Sequence, residues 1–200
     1  MDTEKIDLLE ELVVRHLKDS KSVAHDFSHL FRVRKIAKYL ANKEGANTEV
    51  AEAAALTHDI ERREDSESDR YFNKSAEQAQ KLLLEVGYPK DFIEKVVSCV
   101  ESHSRSSSVV PETIEAKVVF DADKLDGLGY VGIVRWYLAM GHMGFDVEDS
   151  TKRYIYTLTE SYKKLGGHLF TKTGSAMAEN RFKLSREFAN NVLMNLDRFE

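Results

Sequence analysis

Apolar residues recur at intervals of three and four along almost the whole of this 200-residue chain. Near the N-terminus, for example, Ile6, Leu9, Val13 and Leu17 share one stripe of a helix. This spacing is typical of amphipathic helices that bury one face, whereas half-buried strands alternate apolar and polar residues. Only two prolines interrupt the pattern. The sequence therefore predicts an all-α fold, a helical bundle whose helices cross at several angles.

Turn and capping signals divide this pattern into eight helical segments. Residues 61–74 are highly charged and lack a periodic apolar face, and the residues SAEQ from Ser75 to Gln78 match a capping box that would begin the next helix. A chain of this length suits one domain, residues 1–200, in which the helices of residues 150–200 pack on the rest. The expected helices cover residues 3–18, 28–43, 48–60, 75 to the VGYPK turn, 91–101, a segment from about 112, and two stretches after 150.

Charge and cysteine content limit the classes of partner and the compartment. The chain has 29 basic and 34 acidic residues, a formal net charge of -5, so we expect no nucleic-acid polymer as a partner. No apolar run approaches the roughly 20 residues that span a bilayer, so we expect no membrane segment. The single cysteine, Cys99, cannot form an internal disulfide, and the amphipathic N-terminus lacks the apolar run of a signal peptide. These features predict a cytoplasmic protein, and they allow a homodimer without requiring one.

Several ligand-capable side chains share the apolar faces of their predicted helices. His29 precedes three apolar residues by four, seven and eleven positions, so it lies on their buried stripe at the start of its helix. The same spacing argument places His58, His103 and Asp123 on the buried stripes of three other helices. Asp59 lies about 100° round the helix from His58. Four helices therefore direct polar groups into one interior.

Buried carboxylates and imidazoles that meet in one interior need a compensating charge. An ionised carboxylate in a core is costly unless it is paired or coordinates a cation. Mixed imidazole and carboxylate ligands suit iron, manganese, nickel, magnesium or zinc, and the lack of a thiolate cluster argues against a structural zinc site. Each residue alone is more often an ordinary hydrogen-bonded core residue, so the prediction of a divalent metal ion depends on their convergence.

The order and spacing of these residues resemble the HD-domain superfamily of metal-dependent phosphohydrolases. The resemblance rests on HDFSHLFRV, ALTHDIE and FDADKLDGLG, and it includes KSAEQAQKLLLEVG, VESHS and LGYVGIVR. It extends from about residue 25 to the helix that ends in MAENRFKLSREF, with a motif core over about residues 25–130. It implies an all-helical fold and hydrolysis of a phosphate ester or anhydride bond in a nucleotide or small phosphorylated metabolite. It also implies one divalent metal ion bound by His29, His58, Asp59 and Asp123.

Two motifs offer alternative ligands. HDFSH contains His25 as well as His29, one helical turn apart, and the resemblance favours His29 because HLFRV matches the first motif of the family. Asp121 and Asp123 lie two residues apart and diverge by about 200° on a helix, so they would not easily bind the same ion. We assign Asp123 as the ligand, and we expect Asp126 to orient a ligand or a water molecule.

A phosphorylated substrate needs cations close to these motifs. Arg32, Arg62 and Lys74 are therefore assigned as substrate-binding residues, and Lys124 as a catalytic residue that contacts phosphate oxygens. Lys74 is favoured because it would precede the N-terminus of the helix that begins at Ser75, where free backbone N–H groups attract anions.

The acid/base group and the number of metal ions are specified less directly. Glu61 is the candidate proton donor or acceptor, although some relatives carry this acid one position later, where this chain has Arg62. His103 has three interpretations: a core histidine, a substrate-binding pocket residue, or a ligand of a second metal. We favour the pocket and one metal ion, because two-metal relatives have two histidines where this chain has only His103. Residues 61–74 are expected to form a mobile flap over the metal, in which Arg63 would contribute little.

Two other classes of function fit parts of the pattern. A nucleotide-sensing module would keep the fold without turnover, but it would not need all four metal donors. A di-iron oxygenase with this fold would need more histidine ligands than the chain supplies. The sequence therefore predicts an enzyme, a metal-dependent phosphohydrolase.

Overall fold

The computed structural model of the protein describes residues 3–18, 26–62, 71–104, 107–164 and 169–197. These residues form nine α-helices and no strand, which confirms the all-α prediction. None of the described helices is long and apolar enough to cross a membrane. The helices are α1 (Thr3–Leu17), α2 (Phe27–Glu44), α3 (Thr48–Thr57), α4 (Tyr71–Val86), α5 (Lys90–Ser102), α6 (Ile114–Asp126), α7 (Gly129–His142), α8 (Val147–Lys164) and α9 (Lys172–Asp197).

Some of the predictions concern residues outside this description. His25 and residues 63–70, the central part of the predicted flap with Arg63, lie outside the described residues. Their predicted roles stay predictions.

Side-chain caps fix the starts of three helices that contribute to the interior. The Asp26 carboxylate accepts a hydrogen bond from the backbone N–H of His29 at 3.0 Å and so begins α2. Asn47 caps α3 and Thr113 caps α6 in the same way. Because Asp26 is the N-cap, His29 lies in the first turn of α2, at its N-terminal end.

Three helix boundaries differ from the sequence prediction. Helix α4 begins at Tyr71 and not at Ser75, whose hydroxyl accepts a hydrogen bond from the backbone N–H of Glu61 at 3.1 Å. The capping-box prediction at Ser75 is therefore wrong. Helix α3 ends at Thr57, three residues early. The predicted sixth helix is two helices, because the chain turns between Asp126 and Gly129, where Gly129 has a φ of 76°.

The alanine-rich helix α3 lies at the centre of the main hydrophobic core. Its residues 50–57 are all buried, and it packs against α1, α2, α4, α5 and α6. Small side chains let neighbouring helices approach closely. The core formed by these six helices also brings α2 against α6, so that the end of α3 lies close to both.

A second, smaller hydrophobic cluster lies among the C-terminal helices. Ile133, Tyr154, Leu158 and Ala189 form its buried part, one or two from each of α7, α8 and α9. Helix α9 also packs against α2 and α6, and its residue Ala178 belongs to the main core. The C-terminal helices therefore lie against the helices that carry the predicted metal ligands.

Candidate metal centre

Three neighbouring helices bring four ligand-capable side chains to one point. His29 comes from the first turn of α2, His58 and Asp59 directly follow α3, and Asp123 lies on α6. One potential ligand atom from each residue lies within 4.8 Å of the others. The two histidines and Asp59 are essentially inaccessible to solvent, and the Asp123 side chain is 11% exposed. The predicted set of four metal donors is therefore brought together in a buried cluster.

The distances within this cluster are too long for hydrogen bonds. Nε2 of His29 lies 3.6 Å from Oδ2 of Asp59 and from Oδ1 of Asp123, and Nε2 of His58 lies 3.6 and 3.8 Å from the same two oxygens. Two ligands bound to one ion at about 2.1 Å each are expected roughly 3 to 4 Å apart. The buried Nε2 of His58 makes no hydrogen bond within the described part of the chain. The donor set therefore fits a metal ion.

Hydrogen bonds on the far sides of the two imidazoles orient them toward the centre. Nδ1 of His58 donates to the carbonyl oxygen of Ala55 at 2.8 Å, and Nδ1 of His29 donates to Oδ2 of Asp126 at 2.8 Å. A neutral imidazole that donates from Nδ1 carries its lone pair on Nε2, the form that binds metals. Asp126 thus orients His29, in agreement with the expectation from sequence.

Asp59 is held between a histidine and an arginine. Nε2 of His103 lies 3.1 Å from Oδ1 of Asp59, and the guanidinium of Arg62 donates to Oδ2 at 3.2 Å. Burial alone would raise the pKa of Asp59, but His58, Arg62 and His103 together hold it well below its ordinary value. Asp59 is therefore ionised, as a metal ligand must be.

Lys124 stabilises the second carboxylate. Its ammonium group forms an ion pair with Asp123 and donates to the carbonyl oxygen of His103 at 3.1 Å. Burial would raise the pKa of Asp123, but the charge of Lys124 and the nearby His58 imidazole lower it well below its ordinary value. Both carboxylates of the cluster are thus ionised.

Asp121, the alternative to Asp123, has a different position. Its buried carboxylate accepts hydrogen bonds from the backbone N–H groups of Phe170 and Thr171 at 2.9 and 2.7 Å, and from the Thr171 hydroxyl at 2.7 Å. A Cβ atom at Gly174 would lie 2.6 Å from the same carboxylate. Asp121 therefore binds the start of α9, on the other side of α6 from the four donors.

The remaining predicted site residues lie at varying distances from this cluster. Arg32 donates to both carboxylate oxygens of Asp126, at 2.8 and 3.2 Å. Lys74 is exposed in the first turn of α4, so the argument that it precedes a helix N-terminus is wrong. Its substrate-binding role, like that of Arg32 and Arg62, stays a prediction.

Two further residues were assigned chemical roles from sequence. The Glu61 carboxylate contacts Nε2 of His16 on α1 at 2.6 Å, and its role as proton donor or acceptor stays a prediction. His103 is fully buried and its Nδ1 donates to the Val100 carbonyl oxygen at 2.5 Å. Its contact with Asp59 gives it an orienting position, and direct contact with a substrate stays a prediction.

Sequence reasoning missed Arg135, which donates to Oδ2 of Asp126 at 2.7 Å. On one continuous helix, residues nine apart would point about 180° away from each other. The contact exists because α7 turns back at Gly129. The signal was present in LGYVGIVR, whose closely spaced glycines indicate a break followed by close packing.

Comparison with known proteins agrees with this arrangement. Over 186 residues the chain is 28% identical to the uncharacterized protein YpgQ of Bacillus subtilis (strain 168), an alignment that covers 90% of this chain and 88% of YpgQ. The crystal structure of YpgQ in complex with ADP has a TM-score of 0.77 at 26% identity and covers 96% of this chain and 95% of that one.

Two other solved structures carry the same fold. A crystal structure described as a predicted HD superfamily hydrolase, from an uncultured Thermotogales bacterium, is 29% identical, has a TM-score of 0.67, and covers 94% of this chain and 91% of its own. An HD-superfamily hydrolase from Bacillus thuringiensis is 26% identical, has a TM-score of 0.75, and covers 99% of this chain and 100% of its own.

The sequence model of the HD domain matches residues 26–128. This range is more than half of the chain, and it begins at the cap of α2 and ends just beyond α6. It therefore contains all four donors together with Asp126, which orients one of them. The spacing of the motifs, the helical architecture and the family match agree, and the chain belongs to the HD-domain family.

Proposed function

We propose that the protein is a metal-dependent phosphohydrolase that hydrolyses a phosphate ester or anhydride bond of a nucleotide or small phosphorylated metabolite. The observation that carries this proposal is the buried set of four donors, whose ligand atoms lie within 4.8 Å of one another. The bound ion is one of Fe, Mn, Ni, Mg or Zn, all of which accept imidazole and carboxylate ligands in proteins.

The balance of charge around the four donors supports an anionic substrate. Apart from Glu61, whose carboxylate contacts His16, four cations and four carboxylates lie in or around the centre, so these eight side chains are neutral as a group. A divalent ion adds two positive charges in a largely buried site, and an anionic ligand offsets them. The groups are Arg32, Arg62, Lys124 and Arg135 against Asp26, Asp59, Asp123 and Asp126.

Each residue of the centre has a distinct part in the proposed reaction. His29, His58, Asp59 and Asp123 would hold the ion, which when bound activates water and stabilises negative charge on phosphoryl oxygens. Lys124 is 12% exposed beside Asp123, where its ammonium group would bind a phosphate oxygen as charge develops. Arg62 is one-third exposed beside Asp59 and would bind a second oxygen. Glu61 remains the proposed proton donor or acceptor.

The relative YpgQ supports a nucleotide as the substrate class. YpgQ has been crystallised in complex with ADP, and the similarity covers 96% of this chain. Adenosine diphosphate carries an anhydride bond and two phosphates, the kind of group that the cationic centre would bind.

Metal content and phosphate release test the proposal. Purified protein is analysed for metal by mass spectrometry, stripped with a chelator and reloaded with each of the five ions. Phosphate and pyrophosphate release is then measured on a panel of nucleoside mono-, di- and triphosphates and small phosphate esters. We expect hydrolysis only with metal, and loss of hydrolysis in Asp59→Asn.

Two outcomes would contradict the proposal. Metal-loaded protein that binds nucleotides without turnover of any compound would indicate a sensing module. Turnover that is unchanged in Asp59→Asn would mean that the four donors are not the reactive centre. Asp91→Asn is the matched control, because Asp91 is exposed in the first turn of α5.

A further inference from the structure

We infer that Arg135, a residue outside the four-donor set, is a positioning residue that fixes the metal ligand His29 through Asp126. The inference rests on the metal-binding part of the proposed function and not on the identity of the substrate. It assigns a role to LGYVGIVR, a segment that the metal site itself does not explain.

A single oxygen atom, Oδ2 of Asp126, connects Arg135 to His29. Oδ2 of Asp126 accepts from Nδ1 of His29 at 2.8 Å and from the guanidinium of Arg135 at 2.7 Å, while Arg32 approaches it at 3.2 Å. Arg32 is closest to the other oxygen, Oδ1, at 2.8 Å. Arg135 therefore makes the shorter guanidinium contact to the oxygen that orients His29, and Arg32 holds the opposite side of the carboxylate.

Orientation of a ligating imidazole by a carboxylate is a general feature of metal sites. The partner of the second ring nitrogen fixes the tautomer and the ring plane, and its loss typically weakens metal binding about 10- to 100-fold. A carboxylate can do this only if its own position is fixed. The side chain of Arg135 is 16% exposed and that of Asp126 is 2% exposed, so water competes little for the contact between them.

The turn between α6 and α7 shows how Arg135 reaches this position. A Cβ atom at Gly132 would lie 2.2 Å from the carbonyl carbon and oxygen of Gly127, so any larger residue would force the two helices apart. The close approach folds the first turns of α7 back on the end of α6. Arg135 lies one turn further along α7, on the side of Asp126. The glycine at position 132 is thus required for the contact.

The test measures metal affinity in variants of the full chain. Mn²⁺ dissociation constants are determined by electron paramagnetic resonance for the parent, Arg135→Gln and Arg135→Lys. We expect Arg135→Gln to bind Mn²⁺ about tenfold or more weakly. Arg135→Lys should recover part of the affinity, because it keeps the charge but loses the fixed geometry of the guanidinium. Arg153 is exposed on α8, and Arg153→Gln should bind Mn²⁺ as tightly as the parent does.

A second pair of variants tests the geometry without changing any charge. Gly132→Ala should weaken Mn²⁺ binding in the same direction as Arg135→Gln, because it moves α7 away from α6. Gly141 lies on the same helix, and a Cβ atom at Gly141 would meet nothing within 4 Å. Gly141→Ala should therefore leave Mn²⁺ affinity unchanged. Circular dichroism on all variants verifies that the helices are retained.

Several results would overturn the inference. Unchanged Mn²⁺ affinity in Arg135→Gln, with or without a lower melting temperature, would mean that Arg135 only attaches α7 to α6. If Arg135→Gln kept the Mn²⁺ affinity of the parent but raised KM, Arg135 would have a direct role in substrate binding. A parent protein that binds Mn²⁺ but hydrolyses nothing would contradict the proposed reaction alone, whereas a parent that binds none of the five candidate ions would contradict both.

Discussion

Nε2 of His58 lies 3.6 Å from Oδ2 of Asp59, although the two residues are neighbours in sequence. Neighbouring side chains on a helix diverge by about 100°. Two adjacent residues in the middle of a helix therefore seldom bind the same ion. Here α3 ends at Thr57, and His58 and Asp59 lie in the turn that follows. Both side chains nevertheless face the point that His29 and Asp123 also face.

Asp121 and Asp123 should respond in opposite ways to the same substitution. We expect Asp123→Asn to weaken metal binding by more than about tenfold. Asp121→Asn should retain metal, but it should lower the free energy of unfolding by about 1.5 to 3 kcal/mol, because an amide NH2 in place of one carboxylate oxygen cannot accept from the donors at the start of α9. Metal analysis and urea denaturation distinguish the two effects, and metal loss in both variants would contradict the assignment.

The two candidate phosphate-binding lysines should differ in importance. Lys124→Ala should lower kcat/KM by about 10- to 100-fold without loss of metal, the equivalent of about 1.5 to 3 kcal/mol for a charge-assisted hydrogen bond. Lys74→Ala should have a smaller effect, since Lys74 is exposed and does not precede the helix start. Steady-state kinetics tests both variants. If Lys74→Ala were the more damaging change, the substrate would have to lie on the α4 side of the centre.

Metal binding should weaken as the pH falls toward and below 6.5. Burial alone would lower the pKa of His58, but the Asp59 and Asp123 carboxylates raise it above 6.5. A protonated imidazole cannot bind an ion, so protons compete with metal at this residue first. Asp59 and Asp123 have lowered pKa values and stay ionised in this range. Metal affinity measured between pH 8 and pH 5 should show this loss, and affinity that is constant to pH 5 would contradict it.

The stability of the metal-free protein should follow two separate pH windows. The raised pKa of His58 contributes stability that is complete below about 6.5 and is lost as the pH rises through the folded-state pKa. The lowered pKa values of Asp59 and Asp123 contribute stability that is present above about 4 and is lost as the pH falls through their folded-state values. Urea midpoints of chelator-treated protein across pH measure both contributions. His58→Gln should remove the first and reduce the second, because His58 is one of the groups that lower the pKa values of Asp59 and Asp123.

Cys99 should be inert in the native protein. Burial raises the pKa of its thiol to about 12, and the thiolate is the reactive form. We expect no reaction with a thiol reagent at pH 8 over minutes, and reaction of one thiol per chain after denaturation in guanidinium chloride. Rapid native modification would mean that α5 opens easily or that Cys99 is not in the core.

The periodic pattern of the sequence places the four donors on or beside buried stripes, and the family resemblance selects them from the other inward residues, among them His103. His29 follows the stripe of α2, and Asp123 follows that of α6, so local spacing alone directs them inward. Asp126 is predictable for the same reason, since it lies three residues after Asp123. These are properties of single helices, which repeat every 3.6 residues whatever their neighbours are.

Contacts that depend on the relative placement of two helices are not predictable in this way. The capping-box pattern at Ser75 is locally convincing, but its hydroxyl is used by the backbone of Glu61, fourteen residues earlier. Arg135 would point away from Asp126 on an unbroken helix, and its role depends on how closely Gly132 lets α7 approach Gly127. The spacing around Ser75 gives no sign of its pairing with Glu61, and the glycines of LGYVGIVR indicate a break and close packing but not the partner of Arg135.

The presence of two hydrophobic clusters has a consequence for how the protein opens. All four donors belong to helices of the main core, whereas most of α7 and α8 packs in the second cluster. Native-state hydrogen exchange commonly reveals cooperative units of unequal stability within one chain. If the second cluster is such a unit, its amides exchange before those of α2, α3 and α6, and a ligand at the centre slows exchange most in the main core. The four donors would then keep their positions during local openings that separate the C-terminal helices from one another.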